Sequence, residues 1–299
     1  MKKGEKIKSL VLPGFEGASI SNVITFVIKG FSKGALVTRA SSIAFNLLLA
    51  LLPASIFLIT LIPFIPIKNF HQELIRLFES IIPVDAYDFL RSTIIDVITR
   101  RSGGLLIFMF LATVLFSTNG IHALIHAFVV SAHNFRSRTW FDQRKISVIL
   151  LVIIDTLFIT AGFLLIFGKI GLNRLVALHI VEKRMVLYLI MTLKWIVIVM
   201  LILLAISFLY WLAPAKKSDF RFISPGSVLA TILFILTSLG FSAYVNNWGQ
   251  YNKLYGSIGT LMVILVWLYL NSIALLIGFE LNMSIKAAAN SGQPLDQLQ

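Results

Sequence analysis

The last apolar stretch of the chain, residues 257–283, is long enough to cross a membrane, yet it carries the carboxylate of Glu280 near its end. An α-helix needs about 20 apolar residues to cross a hydrocarbon core of about 30 Å. Five other stretches meet the same requirement, which gives six candidate spans: 40–64, 105–130, 146–167, 186–213, 225–245 and 257–283. This pattern predicts an all-α polytopic membrane protein with six transmembrane helices.

The composition supports a membrane protein and excludes several kinds of site. Hydrophobic residues make up 58% of the 299 residues, and charged residues make up 13%, whereas about a quarter of the residues in a soluble domain are charged. The chain has no Cys, so disulfides, thiolate metal sites and a Cys nucleophile are excluded.

The net charge of +13 raises the question of nucleic-acid binding, and the distribution of the charges argues against it. With six spans, both termini lie on one side, and that side carries 15 of the 26 Lys and Arg residues while the other carries 10. Cytoplasmic loops carry the Lys and Arg excess, so both termini are predicted to be cytoplasmic. Basic residues spread over loops that flank a membrane favour anionic lipid headgroups as partners, and no nucleic-acid partner is predicted.

The chain is expected to have three parts. Residues 1–38 form a basic N-terminal segment, in which 19–38 predicts an amphipathic helix that lies either in the headgroup layer or against the protein. Residues 39–285 form the membrane domain, whose outer loop 66–102 has the spacing of two short amphipathic helices. Residues 286–299 are expected to form a flexible cytoplasmic tail.

Two charged residues fall deep within the predicted spans. Asp155 is placed about 13 Å from the cytoplasmic face, and Lys194 is placed about 18 Å from the same face on the next helix. Charges at such depth cost a few kcal/mol each unless they face protein, water or one another. The similar depths predict either a buried ion pair between Asp155 and Lys194 or a charge site that lines a substrate path.

Other polar or helix-breaking residues also lie within the spans. Pro53 predicts a kink that serves either as a hinge or as fixed shape. His122 and His126 have the i, i+4 spacing of zinc ligands, but no third ligand is nearby, so interhelical hydrogen bonding is the preferred interpretation. We predict no metal and no cofactor. Asn46 and Asn119 are the remaining polar candidates inside spans.

Three stretches of the sequence carry a resemblance to a known family. They are RASSIAFNLLLALLPASIFL in the first span, SPGSVLATILFILTSLGFSAYV in the fifth, and YNKLYGSIGTLMVILVWLYLNSIALLIGFELN in the sixth. Together they are similar to the YihY/BrkB family of bacterial inner-membrane proteins, over roughly residues 35–285. The sequence departs from the family pattern at Phe45-Asn46 and Gly278-Phe279, and the two histidines match no family motif.

The resemblance implies a six-helix inner-membrane protein. The function usually suggested for this family is transport or export of envelope components, lipids included. The family also bears the labels "virulence factor" and "ribonuclease BN". We predict a non-enzymatic transporter or export factor, with an envelope scaffold acting through loop 66–102 as the alternative. A ribonuclease is disfavoured because the cytoplasmic loops are short and offer a single acid or none, and RNA cleavage needs an acid–base pair or clustered carboxylates.

Glu280 is placed at a helix end by its distance from the start of its span. It follows Ser257 by 23 residues, or about 35 Å of helix, which exceeds the thickness of the hydrocarbon core. Arg39 precedes the first span at the same level, and both residues match the family pattern. We therefore predict a contact between Arg39 and Glu280 that closes the inner end of the bundle.

Overall fold

The computed structural model describes residues 36–65, 100–131, 139–177, 183–214, 221–248 and 257–290, together with 72, 75, 95 and 96. The described residues contain no strand. They form six long helices: α1 (Leu36–Leu61), α2 (Gly103–Ser131), α3 (Trp140–Ala177), α4 (Lys183–Leu212), α5 (Pro225–Trp248) and α6 (Ser257–Asn290). All six are long and apolar enough to cross a membrane. The predicted all-α architecture with six spans is confirmed.

The helix ends differ from the predicted part boundaries at both ends of the membrane domain. Helix α1 begins at Leu36 and so includes the last residues of the predicted segment 1–38, while α6 continues to Asn290 and makes the first five residues of the predicted tail helical. Most of the predicted helix 19–38, most of loop 66–102 and residues 291–299 lie outside the described residues.

The chain divides into two compact units, which are described separately. Unit 1 comprises Met1–Phe45 and Ile121–Gln299, and unit 2 comprises Asn46–Gly120. In unit 2, Phe57 of α1 and Phe110 of α2 pack with their ring centroids 5.6 Å apart. Helix α1 runs through the buried Pro53 without a break, and the role of this residue as a hinge stays a prediction.

In unit 1, α3 packs on α4, α4 packs on α5, and α5 packs most extensively on α6. The backbones of α5 and α6 are in direct contact where Gly226 faces Gly278. A Cβ atom on Gly226 would lie 2.5 Å from Asn282 Oδ1, and one on Gly278 would lie 2.6 Å from Ala230 Cβ. Glycine at both positions is what allows the two helices to approach this closely.

The same crossing also supplies the hydrogen bonds that begin α5. Ser224 and Ser227 form a reciprocal cap, in which each backbone N–H donates to the other's Oγ at 3.0 and 3.1 Å, and Pro225 occupies the first helical position. Asn282 of α6 accepts the Gly226 N–H at 2.8 Å and donates to Ser224 Oγ at 2.8 Å. The first N–H groups of a helix have no hydrogen-bond partner within that helix. Here α6 provides a partner for the N–H of Gly226.

Burial within unit 1 changes along the length of its helices. We name the end at which α1 begins and α6 ends the proximal end, and the opposite end the distal end. Toward the proximal end the helices bury Ser147, Leu150, Tyr210, Ala230 and Leu276. Toward the distal end, residues 158–160 of α3, 192–196 of α4 and 242–244 of α5 are all exposed. Five consecutive exposed residues span more than a full helical turn, so every side of α4 is at least partly exposed there.

We expect Gly226→Ala to destabilise the protein, because the added methyl group collides with the backbone and side chains of α6. Overpacking of this kind costs about 1–3 kcal/mol. The measurement is the thermal unfolding midpoint of the detergent-solubilised protein. Gly240→Ala is the matched control on the same helix, since nothing lies within 4 Å of a Cβ there. Equal midpoints for the two variants would contradict the close helix approach.

Candidate functional site

An ion pair joins the first turns of α1 to the last third of α6 at the proximal end. Arg39 Nη2 donates to Glu280 Oε1 at 2.9 Å, and Arg39 Nη1 donates to the backbone carbonyl of Ala127 in α2 at 3.0 Å. The relative exposures of Arg39 and Glu280 are only 8% and 3%. The contact predicted between these two residues is present, and it ties three helices together.

An aromatic cluster packs beside the ion pair. Phe128 of α2 stacks on Phe279 of α6 with ring centroids 4.3 Å apart, and Tyr210 of α4 meets both rings edge-on at 5.6 Å. The Tyr210 hydroxyl donates to the Leu275 carbonyl at 2.5 Å. Because Phe279 precedes Glu280 in the chain, the cluster keeps apolar rings next to the ion pair, where water would otherwise weaken it.

A second polar group lies nearer the middle of the α5 and α6 spans. Trp267 Nε1 donates to Ser238 Oγ at 3.2 Å, Ser238 Oγ approaches Asn271 Oδ1 at 3.5 Å, and Asn271 Nδ2 donates to the Trp267 carbonyl at 2.9 Å. These three residues link the two helices. Lipid tails offer no hydrogen-bonding partners, so these polar side chains bond within the protein instead.

The predicted buried ion pair between Asp155 and Lys194 is not formed. Both side chains are exposed, and no ion pair joins them in the described part of the chain, whereas one joins Arg39 and Glu280. The reason lies in helix length, because α3 continues well past its predicted end to Ala177, and α4 starts at Lys183. Counted from that connection, Asp155 and Lys194 are offset by eleven residues, or about 16 Å along the helices.

The two charges therefore need separate explanations. Lys194 lies six residues after Tyr188, where the α4 span begins, and at about 9 Å from that end its long side chain can reach toward the headgroups. Asp155 lies nine residues before the end of its span at Leu164. Its side chain is too short to reach the headgroups from there. A place for either residue in a substrate path stays a prediction.

The structure gives the other polar candidates different surroundings. His126 is exposed, while His122 is half-buried with an Nδ1 atom that has no hydrogen-bond partner among the described residues. No group of three metal-ligating side chains occurs in the described part of the chain. Asn46 and Asn119, in unit 2, are half-buried, and each interacts with a neighbouring group.

Several residues that build the proximal end carried no interpretable signal in the sequence. Phe128 and Tyr210 are aromatic residues in apolar helices, where residues facing lipid and residues facing protein look alike. Ser224 and Asn282 are different, because the segment SPGS has the serines and proline of a capped helix start. That motif could have indicated the cap, although not its partner on α6.

We expect Glu280→Gln and Arg39→Met each to lower the free energy of unfolding by about 3–5 kcal/mol, because each leaves one buried charge without its partner. The double variant Arg39→Met/Glu280→Gln should recover part of this loss, since neither charge then remains. Arg221→Met removes an exposed arginine and serves as the control with little effect. Unfolding of all variants in the same detergent measures the coupling, and additive losses in the double variant would contradict it.

Comparison with known proteins identifies the family. The family model described as "Virulence factor BrkB" matches residues 27–298. The chain is similar to "Putative ribonuclease-like protein YfkH" of Bacillus subtilis (strain 168), with 30% identity over 245 residues, which cover 82% of this chain and 88% of that protein. It is also similar to "UPF0761 membrane protein PSHAa0171" of Pseudoalteromonas translucida (strain TAC 125), with 38% identity over 77 residues, 26% of each chain. No solved structure matches. The chain belongs to the Virulence factor BrkB family and is a multi-pass bacterial membrane protein.

Proposed function

We propose that this protein is a non-enzymatic transporter or export factor that moves envelope components, lipids included, across the membrane. The observation that supports the proposal is the difference between the two ends of unit 1. The proximal end is packed around the Arg39–Glu280 ion pair, while residues 158–160 of α3, 192–196 of α4 and 242–244 of α5 are exposed. Alternating access requires that one end of the protein can be closed while the other is open, and the difference in packing between the two ends fits that requirement.

The polar group on α5 and α6 supports the same proposal. Trp267, Ser238 and Asn271 lie well inside their spans, and transporters commonly bind substrate near the middle of the bilayer. Asn271 is buried and Trp267 is half-buried. The side chains of this group could hydrogen-bond a polar headgroup, but a headgroup could reach them only if the surrounding helices separate.

We further propose that the protein lies in the bacterial inner membrane with both termini in the cytoplasm. The Lys and Arg excess on the side of the termini supports this orientation. The proximal end then faces the cytoplasm, and its basic residues meet the anionic headgroups of the inner leaflet. Nucleic acid is not among the proposed partners.

The ribonuclease label of the YfkH relative is not carried over in this proposal. Hydrolysis of RNA needs an acid and a base that flank the phosphate, or carboxylates that hold metal ions. Within the described ranges, no three His, Cys, Asp or Glu residues come together as metal ligands. An assay of RNA cleavage by the purified protein tests the point, and cleavage that survives stringent purification would reverse the order of the two functions.

Transport should stop when the proximal end is covalently closed. The variant Arg39→Cys/Glu280→Cys replaces the ion pair with two thiols in a chain that otherwise has no Cys. A short cleavable thiol cross-linker between these positions then fixes α1 to α6. In proteoliposomes that contain fluorescent phospholipid, we expect the cross-linked protein to move no lipid and the cleaved protein to move it again.

The controls for this experiment are the double-cysteine variant without cross-linker and the same variant treated with a reagent that reacts with single thiols and cannot join them, and both should keep their activity. Movement of lipid by the cross-linked double variant would mean that the proximal end need not open. Absence of lipid and small-solute movement by the unmodified protein, with RNA cleavage also absent, would leave an envelope scaffold as the better proposal.

The orientation predicts which cysteines a membrane-impermeant reagent can reach. Ser9→Cys and Ser291→Cys, near the two termini, should be labelled only after cells are lysed. Asp85→Cys, in the loop after the first span, should be labelled on spheroplasts. The opposite pattern would place the termini outside, and labelling of only one terminus on spheroplasts would contradict an even number of spans.

A further inference from the structure

One side of α3 is exposed along most of its membrane span. Residues three, four or seven positions apart lie on the same side of an α-helix. We name as the α3 face the four large apolar side chains that α3 exposes at this spacing, Val148, Val152, Ile159 and Phe163. Apolar side chains alone would fit lipid tails as well as protein, because lipid tails are as apolar as leucine.

Two polar residues interrupt the α3 face near its middle. Asp155 and Thr156 are both exposed. Asp155 is fifteen residues from the start of the span at Trp140 and nine from its end at Leu164, or about 22 and 14 Å along the helix. A carboxylate side chain reaches neither interface over such distances, so Asp155 requires a partner inside the membrane.

Lipid tails cannot supply that partner. An ionised carboxylate in hydrocarbon is unfavourable, and a protonated carboxyl still carries an O–H donor for which lipid tails have no acceptor. Within the described ranges Asp155 forms no ion pair, and Lys194 on α4 is offset from it by about 16 Å along the helices. The partner of Asp155 therefore comes from outside the described residues.

The neighbours of Asp155 favour protein over water as the source of this partner. The residues about one turn before and after it, Val152 and Ile159, are large, apolar and exposed. Contact of such side chains with water is unfavourable. The surface that covers the α3 face should therefore be apolar over most of its length and polar at the depth of Asp155.

A second copy of this chain has that surface at that depth. Two copies inserted in the same orientation, with a two-fold axis along the membrane normal, present the same patch to each other. The centre line of the α3 face runs through Val152 and Ile159. Asp155 and Thr156 lie on opposite sides of that line, at about −60° and +40° for a helix of 3.6 residues per turn. The axis therefore places Asp155 of one copy opposite Thr156 of the second copy.

The Thr156 hydroxyl is suited to that contact. It donates its proton to the Val152 carbonyl of the same helix at 2.7 Å, and a hydroxyl that donates one hydrogen bond can still accept others. A protonated Asp155 carboxyl has one O–H donor. The pairing therefore matches one donor with one acceptor and leaves no charge in the membrane.

We propose that the α3 face is the interface of a homodimer, in which the protonated Asp155 carboxyl of each copy donates a hydrogen bond to Thr156 of the other. The two hydrogen bonds are reciprocal, as a two-fold interface requires, and the apolar side chains of the α3 face pack around them. The proposal goes beyond transport, because it assigns a partner to α3 and holds equally for an envelope scaffold.

The first test is cysteine cross-linking in native membranes, in a chain that otherwise has no Cys. Val152→Cys places a thiol on the centre line of the α3 face, where oxidation should link two copies through a disulfide. Leu236→Cys on α5 is the matched control, because the two native side chains are 58% and 60% exposed. Their depths also match, at about 18 and 17 Å from the first residues of α3 and α5. The control should stay monomeric, and equal cross-linking of the two variants would overturn the interface.

The second test is native mass spectrometry of the full chain in detergent, with dilution to measure the monomer–dimer equilibrium. Asp155→Leu and Thr156→Val should each weaken the dimer about ten-fold, since each removes both hydrogen bonds between the copies. Asp155→Asn replaces the O–H donor with an N–H donor and should retain most of the dimer, which separates a lost interface from a misfolded protein. An unchanged dimer with Asp155→Leu, or an equal loss with Asp155→Asn, would overturn the proposed hydrogen bonds.

Access to water distinguishes a dimer interface from a water-filled path. In the dimer, Val152→Cys should be inert to a water-soluble, membrane-impermeant thiol reagent added to both sides of the membrane. Rapid modification of this cysteine without cross-linking would overturn the dimer in favour of a path that brings water to Asp155.

Discussion

The buried ion pair of Arg39 with Glu280 is the contact on which the proximal end depends. Two charges removed from water are stable only if each finds a partner and the remaining donors are also satisfied. Here the second guanidinium nitrogen bonds to the Ala127 carbonyl, so one arginine fixes α1 against both α2 and α6. The aromatic rings of Phe128 and Phe279 then pack at a position that this pair has already defined.

The start of α5 must also have its buried polar groups paired, and here these groups are backbone N–H groups rather than charges. A helix that begins inside a protein has backbone N–H groups without partners, and in an apolar environment each must be satisfied internally. Asn282 meets this need for Gly226 and lies only two residues beyond Glu280. One turn of α6 therefore holds both the charge that fixes α1 and the amide that caps α5, which explains why the burial of unit 1 is concentrated there.

The sequence predicted the six spans and the Arg39–Glu280 contact because both depend on length along a helix. The apolar runs are as long as the membrane is thick, and the distance from Ser257 to Glu280 exceeds that thickness. The same reasoning failed for Asp155 and Lys194, because it took the end of the apolar run as the end of the helix. Helix α3 continues through the polar residues that follow to Ala177. Phe128 and Tyr210 could not be predicted, since lipid is as apolar as a protein core.

The ion pair also constrains how the proximal end could open. Separation of α1 from α6 would leave Arg39 and Glu280 apart in a medium of low dielectric, where each unpaired charge costs several kcal/mol. The cost falls only if water or another polar group reaches both charges as they separate. An intermediate that is half open and still dry is therefore the least stable arrangement. Opening of this end and entry of a polar ligand or water would have to occur together, so a buried ion pair at this position favours two discrete states over gradual movement.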